Sequence, residues 1–129
     1  MNNEDYCSYE LSKALKACGF DEPCIAQWAC EPDGKPILLG STAFVFSNAE
    51  LKGRDVTAPL LYQAQKWLRK VKHISVRVSY IHYHKVWFAD WLNLDSGEFD
   101  DTDATFATYE EALADGISVA LELIEQEKE

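Results

Sequence analysis

The chain lacks most of the short patterns that announce chemistry. Its six glycines (Gly19, Gly34, Gly40, Gly53, Gly97 and Gly116) form neither a G-x-G-x-x-G nor a P-loop, so no phosphate cradle is legible. There is no G-x-S-x-G nucleophile elbow. The four cysteines, Cys7, Cys18, Cys24 and Cys30, contain no C-x-x-C, the close pairing that presents two thiolates to one zinc ion. No run approaches the ~18 consecutive apolar residues that span a bilayer. The opening "MNNEDYCSYE" has no basic stretch followed by an apolar one, so it does not read as a signal peptide. These absences together predict a cytoplasmic protein with reduced thiols, with Cys18 and Cys24 as small buried hydrophobes.

A hydrophobic content of 47% is enough for a core, and 129 residues suit a single domain, 1–129, ending in a frayed acidic tail at 125–129. The net charge of −10 is unevenly placed. From Asp95 onward there are twelve acids and one base, Lys128, whereas the first 94 residues hold ten acids and eleven bases. The stretch Lys66–Lys85 carries six bases and no acid. Such polarity suits a solvated surface, a basic patch for nucleic acid, or an acidic face that imitates it.

Hydrophobic periodicity sets the architecture. Leu11, Ala14, Leu15 and Cys18 fall on one helical face. Ser8 is placed to cap that helix and Gly19 to end it, with Phe20 folding back on Leu15 or Lys16. Pro32-Asp33-Gly34 is turn chemistry between two apolar runs, which predicts a hairpin of Ile25–Glu31 with Pro36–Gly40. Ser41–Val56 gives little signal; "TAFVF" admits a short strand and "SNAELKGRD" reads as loop. Thr57–Val71 is a second helix capped by Thr57, with Leu60, Ala64, Trp67, Leu68 and Val71 inward and Tyr62, Lys66, Arg69 and Lys70 outward. Ile74–Ile81 alternates as a strand, and Val86–Asn93 is apolar on both faces: Trp87, Ala89 and Trp91 on one, Val86, Phe88 and Leu92, interrupted by Asp90, on the other. Such a strand is either central and covered on both sides, which is the expectation because two large aromatics are most often core, or has one face exposed for a partner. Ser96–Thr105 reads as an acidic loop. The last helix, Thr108–Ile124, opens with a capping box, Thr108 to Glu111, and buries Leu113, Gly116, Ile117, Ala120, Leu121 and Ile124. Gly116, costly in a helix interior, points to a close approach to the sheet.

Two candidate metal sites weaken on inspection. His82 and His84 stand at i, i+2 and would share a face only if one strand ran from Ile74 to Leu92. That is far longer than the usual ~5–6 residues, so a reversal at His82–Lys85 is the expectation, although "HYHK" lacks the residues tight turns prefer. "DDTDATF" begins like a calcium loop at Asp101, Asp103 and Thr105. Phe106 and Ala112 then stand where glycine and the bidentate glutamate belong. No metal, cofactor or catalytic residue is assigned, and the chain is read as a non-enzyme.

Three segments resemble a family of small phage- or mobile-element-encoded proteins of anaerobic gut bacteria: "SYELSKALKACGFDEPC", "EPDGKPI" and "TFATYEEALADGISVALELI". The matching positions are Ser8–Leu11, and Ala112, Leu113, Gly116 and Ile117. The histidine turn departs from the pattern. The resemblance implies an origin rather than an activity.

The expected fold is α+β, helix–hairpin–helix–hairpin–helix with the helices packed on an antiparallel sheet. The expected function is a non-enzymatic protein-interaction module with an unidentified protein partner, no membrane contact and homo-oligomerisation left open. Candidate partner-binding residues are Trp87, Trp91, Asp95, Asp100, Asp101 and Asp103. The alternatives are an acidic mimic of nucleic acid that inhibits a host enzyme, and nucleic-acid binding through Lys66, Arg69, Lys70, Lys72 and Arg77.

Overall fold

The computed structural model describes residues 3–40 and 45–127. Among these residues the fold is α+β, with three α-helices and two three-stranded antiparallel sheets. The chain divides into two compact units, 1–60 and 61–129.

In the first unit Ser8 caps helix α1, Tyr9–Ala17, by accepting the Leu11 amide at 3.2 Å. Gly19, at φ +96°, turns the chain into the left-handed region. The Phe20 amide then bonds to the Leu15 carbonyl and the Gly19 amide to that of Lys16, a double bond pattern that satisfies the last carbonyls. Phe20 and Leu15 are both fully buried. Strands β1, Ala26–Cys30, and β2, Pro36–Gly40, pair from Ala26↔Gly40 to Cys30↔Pro36. Gly34 closes their turn at φ +88°. Strand β3, Val56–Thr57, adds to the other side of β1, giving the order β2-β1-β3.

The placement of Thr57 corrects the expected helix cap. Thr57 is a buried strand residue whose amide donates to Asn48 Oδ1 at 2.9 Å, while Asn48 Nδ2 donates to the Phe20 carbonyl at 2.8 Å. One buried amide thus ties the end of α1 to β3, and "SNAELKGRD" holds a short 3-10 turn at Asn48–Glu50. Of the expected strand "TAFVF", Thr42–Phe44 lie outside the described residues. Phe46 makes an isolated antiparallel bridge to Cys24.

In the second unit helix α2 spans Leu61–Val71. Leu61, Ala64, Trp67 and Leu68 are its buried face, and Val71 is 54% exposed, so Leu61 takes the inward place expected of Val71. Leu60, also expected on the inward stripe, precedes the helix and makes an isolated antiparallel bridge to Tyr6. Strands β4, Ile74–Ile81, and β5, Val86–Asn93, pair along their whole length. Strand β6, Phe99–Asp101, pairs with β5 inside the segment expected to be loop. Helix α3, Tyr109–Glu127, packs on β4 and β5; Lys128 and Glu129 lie outside the described residues. The Thr108 hydroxyl accepts the Glu111 amide at 3.1 Å, and the Glu111 carboxylate accepts from that hydroxyl at 2.9 Å.

Gly116 is where α3 meets the sheet. A Cβ there would stand 2.6 Å from Val76 Cγ1 and 2.8 Å from Ala89 Cβ. Val76 and Ala89 therefore mark the covered face, and strand alternation puts Ser75, Arg77, Ser79 and Ile81 of β4 on the other. Among the described residues, no helix is long and apolar enough to cross a membrane.

Candidate protein-binding surface

The histidine pair lies in a reversal. Ile81 pairs with Val86, and the Lys85 amide bonds to the Ile81 carbonyl at 2.8 Å, enclosing His82, Tyr83, His84 and Lys85. Lys85 takes φ +56°, the left-handed position a glycine would fill. His82, Tyr83 and His84 are all exposed. His73, also at positive φ, faces Asp95 across 3.1 Å, and its carbonyl accepts the Leu94 amide. That contact fastens the start of β4 to the end of β5.

Strand pairing sorts the second unit's residues by face. Val76↔Trp91, Val78↔Ala89 and Tyr80↔Trp87 lie toward α3. Trp87 is half-buried, with its ring 4.8 Å from Tyr80 and 5.4 Å from Tyr109, the first residue of α3. Trp91 is half-buried on the same face.

The opposite face carries Ser75↔Leu92↔Phe99, Arg77↔Asp90↔Asp101, Ser79↔Phe88 and Ile81↔Val86. Its apolar residues are Ile81, Val86, Phe88, Leu92 and Phe99, with Phe99 74% exposed. At its middle Arg77 Nε donates to Asp90 Oδ1 at 2.9 Å. This is an open, mixed apolar and acidic surface that the pairing register defines and periodicity alone does not.

The predicted acidic set is divided. Asp95 pairs with His73. Asp100 is opposite Trp91, with Oδ1 accepting the Asp101 amide. Only Asp101 and Asp103 come together, and they do so at a cavity. After β6 the Thr102 amide bonds to the Ala89 carbonyl, and pairing resumes where Phe106 exchanges two 2.8 Å bonds with Trp87. Between these anchors Asp103, Ala104 and Thr105 have only Phe88 opposite them, so the chain arches out as a bulge. Under the arch is a cavity of about 320 Å³ lined by Ile81, Phe88, Asp101, Asp103, Ala104 and Thr105. Asp101 Oδ1 accepts the Asp103 amide at 2.9 Å, and Asp103 sits at φ +60°. Among the described residues neither carboxylate has an ion pair.

The predicted basic set is divided too. Lys66, Arg69 and Lys70 are exposed on α2 beside Tyr62, and Lys72 lies over the Trp67 ring at 5.7 Å. Arg77 is on the open sheet face, engaged by Asp90.

In the first unit Cys7, Cys18 and Cys24 are buried, and none of the four cysteines is in a disulfide. Burial, and then the proximity of Cys24, push the Cys7 thiol far above its ordinary pKa. The half-buried Cys30 lies 3.3 Å from the Tyr9 hydroxyl, and this hydrogen bond raises the tyrosine pKa. Buried thiols held protonated are poor nucleophiles. Among the described residues, no three His, Cys, Asp or Glu side chains gather as a metal would need.

The chain matches no protein-family model, no curated protein and no solved structure.

Proposed function

We propose that the chain is a non-enzymatic protein-interaction module of phage or mobile-element origin. Its partner docks on the open face of the β4–β5–β6 sheet. One observation carries the reading: Val86, Phe88 and Leu92, each half-buried, and the exposed Phe99 form an apolar surface on the side away from α3. Apolar surface of this kind beside polar residues is what docking faces offer. The origin rests on the resemblance of the two end segments and "EPDGKPI" alone.

The test is a comparison of captured proteins. Wild-type chain and a Leu92→Ser/Phe99→Ser variant are immobilised, challenged with the same bacterial lysate, and washed at low and then high salt. A defined protein held by the wild type and lost from the variant supports the reading. Identical retention on both removes it.

A second reading has its own support: Asp90, Asp101 and Asp103 lie on or beside that same face, which suits an acidic inhibitor that imitates nucleic acid. It requires binding that falls steeply with salt. Direct binding of nucleic acid through the basic segment is weaker, since Arg77 is apart from the cations of α2 and the chain carries −10 overall.

A further inference from the structure

We infer that the cavity under the 103–105 bulge receives a lysine or arginine side chain presented by a protein partner. The inference rests on the docking role of the open sheet face and names the chemistry of the occupant.

Three observations meet there. The lining combines two apolar side chains, Ile81 and Phe88, with two carboxylates, Asp101 and Asp103. A long basic side chain has this make-up, with a methylene stem that prefers apolar contact and a cationic head that prefers carboxylates. The volume of about 320 Å³ is at the lower end of the ~300–1,000 Å³ range of ligand pockets, which suits one side chain rather than a cofactor.

The second observation is electrostatic. Asp101 stands directly across the strand pair from Asp90, and like charges placed so are unfavourable. The cation in that row, Arg77, donates to Asp90 and lies two strands from Asp101. The row therefore holds one more carboxylate than it can neutralise, and Asp103 adds another. A cation from outside would relieve what the fold leaves unbalanced.

The third is that the acidic segment is held in place. Asp101 Oδ1 accepts the Asp103 amide, which fixes one carboxylate against the next residue but one. Thr102 and Phe106 anchor both ends of the arch to β5 by backbone bonds. Little ordering is left for binding to impose.

The experiment is an amide NMR titration of the full chain with N-acetyl-arginine amide and N-acetyl-lysine amide. N-acetyl-norleucine amide keeps the stem and lacks the charge, so it reads apolar contact alone. Calcium chloride supplies charge without a stem, so it reads binding of a metal ion by the carboxylates. The expected result is a saturable shift confined to amides of Ile81, Phe88 and residues 101–105 with a cationic amide. In the Asp101→Asn/Asp103→Asn variant that binding should weaken about tenfold. The variant is built to fold, since asparagine keeps the oxygen that accepts the Asp103 amide and tolerates the left-handed conformation at 103. A Phe88→Ser variant should also weaken it, because the stem loses an apolar contact. The inference is overturned by shifts scattered over carboxylates elsewhere, by equal affinity in the double asparagine variant, or by norleucine amide binding as well as the cations. It is also overturned if calcium alone saturates these amides. If the cationic amides fail to bind while capture still depends on Leu92 and Phe99, the pocket assignment falls and the docking role stands. If they bind as expected while capture ignores those residues, the docking role falls instead.

Discussion

Gly116→Ala sets two elementary effects against each other, and the structure decides the sign. In an open helix interior the change would stabilise by up to about 1 kcal/mol, because alanine loses less backbone freedom than glycine. Here the new methyl would meet Val76 Cγ1 at 2.6 Å and Ala89 Cβ at 2.8 Å, where ordinary carbon contacts are about 3.5–4.0 Å. Val76 can answer by changing rotamer. Ala89 cannot, because its Cβ is fixed to a strand paired on both sides. The helix must then lift from the sheet by up to about 1 Å, which opens gaps along Leu113, Ile117 and Ala120. Overpacking of this kind costs about 1–3 kcal/mol, and two hard contacts place it in the upper half. Net of the propensity gain, a loss of about 1–2 kcal/mol is expected. Urea unfolding followed by tryptophan emission reads it, since three of the four tryptophans, Trp67, Trp87 and Trp91, lie in the second unit. The double variant Gly116→Ala/Ala89→Gly should lose less than the sum of its singles, because removing one methyl makes room for the other. A Gly116→Ala protein that is more stable than wild type would refute the close packing of α3 on β4 and β5.

Other substitutions test other parts. Among the described residues the buried Thr57 hydroxyl has no hydrogen-bond partner while its amide is bonded, so Thr57→Val should stabilise by about 1 kcal/mol in thermal melts; an equal loss would mean that the hydroxyl is satisfied. Lys85→Gly should be neutral or stabilising by up to about 1 kcal/mol, because the residue sits at φ +56°; a clear loss would undo the account of the histidine turn. Cys7 is held protonated in the fold, chiefly by burial. Its contribution to stability is complete below the ordinary thiol value of 9.0 and declines as pH rises beyond it, since only the unfolded chain then ionises the thiol. Native thiol titration should modify Cys30 first and leave Cys7 unreactive until unfolding; early modification of Cys7 would contradict its burial. Asp101→Asn should raise stability by about 0.2–1 kcal/mol by ending the repulsion across from Asp90, and the gain should shrink at high salt; a loss in its place would show that the Asp101 charge is already balanced within the fold.

The elements that periodicity makes legible are those whose reasons are local. Ser8, Gly19 and Phe20 bound α1 through bonds within a few residues, and Asp33-Gly34 closes the first hairpin in the same way. The two-residue β3 has no period to detect. It exists because β1 and Asn48, both distant in sequence, supply its hydrogen bonds. Thr57 therefore reads as a cap when viewed from its neighbours and proves to be a strand residue. Phe99–Asp101 looks solvated, and its side chains are; only its backbone is paired. The cavity is out of reach of the sequence for a related reason. Ile81 and Phe88 are visible as same-side strand residues, but nothing local says that the chain arches over them between Thr102 and Phe106. Gly116 is the counter-example: a residue costly for its helix is a true signal because the contact that requires it is severe.

The charge arrangement also limits what can sit on the open face. The cations Lys66, Arg69 and Lys70 are exposed on α2, which packs with α3 on the covered side of the sheet, whereas Asp90 and Asp101 lie on the other side. A second copy could offer a lysine from α2 to the acidic cavity of the first. Such a head-to-tail contact uses different surfaces on the two molecules, so it builds a ring or an open filament rather than a two-fold dimer. Each added copy also brings a further −10 of charge, which opposes growth at ordinary ionic strength. A distinct basic protein meets neither obstacle. It would supply the cation that the Arg77–Asp90–Asp101 row lacks, and its attraction to the chain would increase with the same net charge that keeps copies of the chain apart.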